Sequence, residues 1–109
     1  MKVVIVGGGK VGELLCADFS NIFKEVTIID TNELRVEKLV EAYDINGILG
    51  NGANYEVLTR ADSAKADMFI SVTASDEINM ICCITEFISN FNTCHITVVE
   101  ENVLELTYT

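Results

Sequence analysis

The chain has no proline, a single histidine and only seven lysines and arginines against 17 aspartates and glutamates. Each shortage excludes something. Without proline there is no Pro-rich linker, and no Gly/Ser-rich or low-complexity tract takes its place, so 109 residues read as one domain, 1–109. The net charge of −10 excludes nucleic acid, whose phosphates it would repel, and an anionic membrane surface. No uncharged apolar run approaches the ~18 residues of a membrane-spanning helix, so direct membrane insertion is not expected. The apolar run at Val3–Val6 is also too short for a signal peptide. The four cysteines, Cys16, Cys82, Cys83 and Cys94, show no C-x-x-C spacing. They read as reduced thiols of a cytoplasmic protein, and no metal site is expected.

What is present alternates between strand and helix signals. Val3–Val6 and Val26–Ile29 are short continuous apolar runs, as in strands buried on both faces. A weaker strand signal lies at Gly47–Leu49, Met68–Val72 reads as a fourth buried strand, and Ile96–Val99 as a fifth strand. Between them, Lys10–Phe23 carries Val11, Leu14, Leu15, Phe19 and Ile22 at helical spacing. A second helix, capped by Thr31 or Asn32, turns Val36, Leu39, Val40 and Tyr43 inward. A short helix spans Tyr55–Ala61, and the last, capped by Ser75 or Asp76, runs from Glu77 to about Asn90. Its expected buried residues are Ile78, Ile81, Cys82, Thr85 and Ile88. Strands joined by such helices give right-handed crossovers, hence a doubly wound α/β fold of three layers with a parallel sheet. Ligands bind such sheets outside the carboxyl ends of the strands.

The loop after the first strand reads G-G-G-K-V-G and fits G-x-G-x-x-G at Gly7, Gly9 and Gly12. In this pattern Gly7 permits the tight turn. Gly9 lets a pyrophosphate reach the backbone, and Gly12 allows close packing of the helix, whose N-terminus favours phosphate. Gly8 is extra and loosens the turn. Lys10 either adds a charge contact or is a solvated surface lysine. Asp30 ends the second strand, 18 residues beyond Gly12, where a carboxylate accepts the ribose hydroxyls of an adenosine. The alternative for Asp30 is a cap of the next helix. The carboxylate would repel a 2′-phosphate, and Arg35 comes only five residues later, so NAD(H) is expected over NADP(H). ADP or ATP fits the same motif. No G-K-[ST] follows, so this is not a P-loop.

Through the segments VVIVGGGKVGELLCADF, VTIIDTN and GNGANYEVLTRADSAKADMFISVTASDEINMICC, residues 1–92 resemble the N-terminal nucleotide-binding domain of Trk/Ktr potassium-uptake regulators, called TrkA-N, KTN or RCK-N. The resemblance implies a Rossmann-like fold that binds NAD(H) or, alternatively, ADP/ATP. It implies a cytoplasmic homo-oligomer, a dimer or larger, seated on a membrane potassium transporter or channel subunit. Carried over by position, Gly7, Gly9 and Gly12 would hold phosphates, and Asp30 with Asn32 the adenosine ribose. Asn51, Gly52 and Ala53 would border adenine. Val72 and Thr73 would line the floor, and Ser75, Asp76 and Glu77 the mouth. Lys10, Val11 and Thr31 complete the candidate nucleotide-binding set. Two departures stand out. Asn51 replaces an aspartate common in the family. Residues 96–109 form an atypical or truncated tail, acidic at Glu100, Glu101 and Glu105, without the family's arginine-bearing segment. The family's sixth strand and following helix are therefore expected to be missing or altered.

No catalytic residue is expected. His95 reads as a surface or edge residue at the start of the fifth strand, and none of G-x-S-x-G, H-E-x-x-H or the EF-hand pattern occurs. The leading expectation is a nucleotide-sensing regulatory domain of potassium uptake. The alternatives are the cofactor half of an NAD-dependent oxidoreductase and an interaction domain with a vestigial pocket.

Overall fold

The computed structural model describes residues 1–89, 94–99 and 102–106. Strands β1 (Lys2–Val6), β2 (Glu25–Asp30), β3 (Asn46–Leu49), β4 (Met68–Ser71), β5 (Cys94–Val99) and β6 (Asn102–Leu106) form one sheet. Its order is β3-β2-β1-β4-β5-β6. The first five are parallel; β6 returns antiparallel to β5, pairing His95 with Leu106 and Val99 with Asn102. The tail therefore adds a sixth strand, and adds it as a hairpin.

β1 lies at the centre, and its side chains divide by the period of two. Val3 and Ile5 join Val26, Ile28, Cys16, Leu39 and Ile70 on one face, under α1 (Lys10–Phe19) and α2 (Glu33–Tyr43). Val4 and Val6 join Ile29, Phe69, Val57, Leu58, Cys82 and Cys83 on the other, under α3 (Tyr55–Arg60) and α4 (Asp76–Ser89). Each branched residue of β1 is essentially inaccessible, and such burial is worth about 1.5–3 kcal/mol per side chain. A 3-10 turn, Ser63–Lys65, joins α3 to β4.

The expected helices exist, but two differ in detail. α1 stops at Phe19 rather than Phe23. Ser20 caps it through its N–H to the Cys16 carbonyl, and the Ser20 and Asn21 side chains both donate to the Ala17 carbonyl. Such local bonds compete with continuing the helix. Phe23 then folds back edge-on to Phe19, with centroids 5.1 Å apart. The inner stripe of α1 is Gly12, Leu15, Cys16 and Phe19, so Val11, Leu14 and Ile22 of the expected set are more than half exposed. In α4 the buried positions are Asn79, Cys82, Cys83 and Glu86, while Ile81 and Ile88 face out. Cys82 is buried as expected and Ile78 packs against the core, but Asn79, Cys83 and Glu86 take the other sheet-facing positions of α4. α2 has the expected inward residues, with Val36 and Leu39 buried and Val40 and Tyr43 half-buried.

His95 corrects another expectation. It is fully buried in β5, between neighbours β4 and β6, with its ring 5.4 Å from that of Phe87 and 6.0 Å from that of Phe69. It is neither at the surface nor at an edge.

Candidate functional site

Strand order reverses between β1 and β4, and the loops after those strands diverge there. A groove of about 380 Å³ opens at this point. Its walls come from four strand ends. Val6, Gly7 and Gly9 belong to the first loop, and Ile29, Asp30 and Thr31 end β2. Gly50, Asn51 and Gly52 follow β3, and residues 72–75 with Ile78 follow β4.

The glycine loop is shaped by contact. Gly7 has φ +106°, and a Cβ there would lie 2.8 Å from the Thr73 nitrogen. A Cβ on Gly12 would strike the Gly7 carbonyl oxygen, so the helix start is seated against the loop backbone. Gly9 is different. A Cβ there meets nothing within 4 Å and would project into open space. The absence of a side chain at Gly9 serves no internal packing. It leaves the backbone approachable at the N-terminus of α1, whose first N–H groups have no partner within the helix.

Asp30 is 8% exposed. Its Oδ2 accepts from the Gly8 N–H at 2.6 Å and its Oδ1 from the Asn32 N–H at 2.8 Å. The carboxylate thus ties the glycine loop to the β2 end, which gives Gly8 a role beyond loosening the turn. A carboxylate offers about four acceptor sites, so two remain for hydroxyls in the groove. Asp30 is not the cap of α2; Asn32 is, its Oδ1 accepting from the Arg35 N–H at 3.2 Å.

The far wall is organised by a residue that the sequence reading missed. Asn79 is 1% exposed. Its Oδ1 receives the Thr73 N–H at 2.7 Å and lies within 2.7 Å of the Thr73 hydroxyl and 3.1 Å of the Ser71 hydroxyl. Its amide donates back to the Thr73 carbonyl at 3.1 Å. The Ser75 hydroxyl caps α4, accepting from the Ile78 N–H. The 72–75 loop is thereby held open beside Gly7. Asn51 fixes the third loop by accepting the Ala53 N–H at 2.8 Å.

Of the sequence candidates, Gly7, Gly9, Asp30, Thr31, Asn51, Gly52, Val72, Thr73 and Ser75 meet at the groove. Gly12, Asn32 and Ala53 support it from behind, as packing, cap and turn. Val11 faces outward, and Glu77 is exposed at the rim, 3.2 Å from the Ser75 hydroxyl. Lys10 lines a separate small cavity. Arg35 enters the groove although it is five residues from Asp30 in sequence, because the first turn of α2 returns its guanidinium to 3.8 Å from Oδ2. Chain distance gave no hint of that.

A glycine loop, a buried carboxylate and a groove at the switch point together define a Rossmann-like domain of the dinucleotide-binding class. The family model described as the TrkA-N domain matches residues 3–103. The chain belongs to that family. It is 39% identical over 83 residues to the Trk system potassium uptake protein TrkA of Azorhizobium caulinodans, an alignment covering 76% of this chain and 18% of the relative. The TrkA-N domain of inner membrane protein YbaL from Escherichia coli superposes with TM-score 0.81 at 23% identity, covering 88% of this chain and 70% of that one. The GsuK channel bound to NAD superposes with TM-score 0.79 at 22% identity, covering 92% and 18%. The chain thus spans about a fifth of the curated TrkA relative's length.

Proposed function

We propose that this chain is a nucleotide-sensing, non-catalytic domain of a potassium-uptake regulator, and that it takes NAD(H) in the groove. The observation that carries the reading is the open space over Gly9 next to a buried Asp30 whose loop-facing bonds are already made. A pyrophosphate would lie over Gly9 at the start of α1. The adenosine ribose would sit on the unused acceptor sites of Asp30, and Asn51 and Gly52 would border the base. The family membership supports potassium uptake as the setting, and the NAD-bound channel with the same fold supports NAD as ligand. ADP or ATP would use the same phosphate and ribose contacts.

Regulation follows from what such ligands share and where they differ. All would hold the glycine loop and Asp30 alike; only their far ends, near residues 73–77, would differ. Differential contact alone shifts a conformational equilibrium, so the 73–77 loop is the sensing element. Its state would pass to a membrane potassium transporter or channel subunit through a cytoplasmic homo-oligomer. Among the described residues no helix is long and apolar enough to cross a membrane. An oxidoreductase would need an acid–base group beside the nucleotide, and His95 lies in the core instead.

Calorimetric titration with NADH, NAD⁺, ATP and ADP tests the reading. Saturable binding with different affinities within a redox or phosphorylation pair is expected. The absence of binding by all four would leave a Rossmann-like interaction domain with a vestigial pocket.

A further inference from the structure

Beside the groove, on the outer side of the glycine loop, lies a second cavity of about 230 Å³. Lys10 and Glu13, one turn apart at the start of α1, face Arg35 and Lys38, one turn apart on α2, across a floor of Gly8 and Gly9. Three of the chain's seven basic residues therefore line one small cavity of a protein with net charge −10. Like charges gathered this way repel one another, and only one acid, Glu13, lines the cavity with them. Among the described residues neither Lys10 nor Lys38 has a carboxylate within 4.0 Å. Of the floor, Gly9 leaves its backbone open to approach while the Gly8 N–H is held by Asp30, and the N-terminus of α1 adds its partial positive charge. Arg35 lines both this cavity and the groove, and its guanidinium stands against Asp30 at the partition.

We propose that this cavity is a phosphate site, holding a phosphate dianion among Lys10, Arg35 and Lys38. A planar guanidinium suits two phosphate oxygens at once, and the lysines act as point charges. The phosphate is either the 2′-phosphate of an adenine dinucleotide whose ribose rests on Asp30, or free inorganic phosphate beside the bound nucleotide. The inference rests on the reading of the groove as a dinucleotide site. It also departs from the expectation that a 2′-phosphate is turned away, which relied on repulsion by the Asp30 carboxylate and on Arg35 being distant in sequence. The charge of Asp30 is faced by the Arg35 guanidinium at 3.8 Å, which offsets its repulsion of a 2′-phosphate.

The test compares NADH and NADPH by calorimetry on the whole chain at matched ionic strength in phosphate-free buffer. Inorganic phosphate is then titrated into the NADH-loaded protein, and everything is repeated with Lys38→Gln, a residue outside the groove. For a nucleotide-borne phosphate, NADPH binds at least as tightly as NADH, and Lys38→Gln weakens NADPH alone by about fivefold or more. For a free phosphate, NADPH gains nothing, but inorganic phosphate binds the loaded protein and Lys38→Gln weakens it by a similar factor. The proposal is overturned if NADPH binds more weakly than NADH and inorganic phosphate gives no binding, or if Lys38→Gln shifts no phosphate-bearing ligand relative to NADH. If NADH binds and no phosphate is sensed, the anion site fails and the groove reading stands. If NADH fails to bind but phosphate binds through Lys38, the groove reading fails instead.

Discussion

Gly9→Ala separates folding from binding more sharply than any other single change. Gly9 has φ −73° and ψ −158°, which alanine adopts without strain, and its new Cβ would touch nothing within 4 Å. Removing glycine from a compatible position stabilises a protein by about 0.4–1 kcal/mol through the unfolded chain. Alanine is a poorer helix N-cap than glycine by a comparable amount. The two nearly cancel, so the melting temperature should move by no more than a few degrees, each kcal/mol being worth roughly 4–8 °C in a domain of this size. Binding should respond differently. The Cβ occupies the space through which a pyrophosphate reaches the loop N–H groups, and a hydrogen bond to a charged group is worth about 1.5–3 kcal/mol. NADH affinity should fall roughly tenfold to a hundredfold, and further for Gly9→Val. Gly12→Ala is the control of opposite sign, since its Cβ runs into the Gly7 carbonyl. It should cost about 1–3 kcal/mol of stability by overpacking. Calorimetry and thermal melts on the purified variants read both effects. A stable Gly9→Ala protein with unchanged NADH affinity would refute the phosphate seat, and a Gly9→Ala protein that melts far below the parent would refute the open geometry.

Asp30→Ala should weaken every adenosine nucleotide by about 1.5–3 kcal/mol per ribose bond lost, measured by titration calorimetry; equal affinities would leave Asp30 as a tie for the glycine loop alone. Asn79→Ala should lower stability by roughly 1–3 kcal/mol, because the donors of Thr73 and Ser71 lose their shared acceptor, and should loosen amide-exchange protection in the 72–75 loop. Glu86 is 1% exposed, with its Oε2 accepting from the Ser63 hydroxyl at 2.7 Å, and burial pushes its carboxyl above the usual carboxylate range. A raised acid favours the folded state fully below its unfolded value, about 4.3, and that contribution fades as pH rises through the folded value. Glu86→Gln should therefore melt higher than the parent near pH 8, with the gap closing as pH falls towards about 4.5; a gap independent of pH would contradict this sign. Burial also pushes the Cys82 thiol up to about 11 and that of Cys83 up to about 12, so both should resist alkylation in the folded state at neutral pH and react fully on unfolding.

Much of this was legible in the sequence because its cues are local. Val3–Val6 is apolar on both faces and could only be a central strand. The glycine spacing and an acid at the end of the second strand foretold where the groove opens. The phase of α1 and α4 was not legible, since isoleucine and leucine outweigh glycine, cysteine, asparagine and glutamate in any apolar count. Yet beside the expected Cys82 it is Cys83, Asn79 and Glu86 that face the sheet. Asn79 escaped notice because its work, collecting the donors of a loop six to eight residues earlier, leaves no periodic trace. Arg35 and His95 were misjudged for one reason: their surroundings are set by tertiary neighbours. The first turn of α2 returns Arg35 to Asp30, and the β6 hairpin turns a prospective edge strand into an interior one.

The central claim is that an adenine dinucleotide occupies the groove, and an amide-resolved NMR titration of the labelled chain with NADH tests it most directly. The account predicts saturable shifts confined to residues 7–12, to Thr31, to 50–52 and to 72–75, with Lys24, Asp44 and Asn46 at the opposite end unmoved. A spectrum unchanged by saturating NADH, or shifts centred away from those four loops, would contradict it.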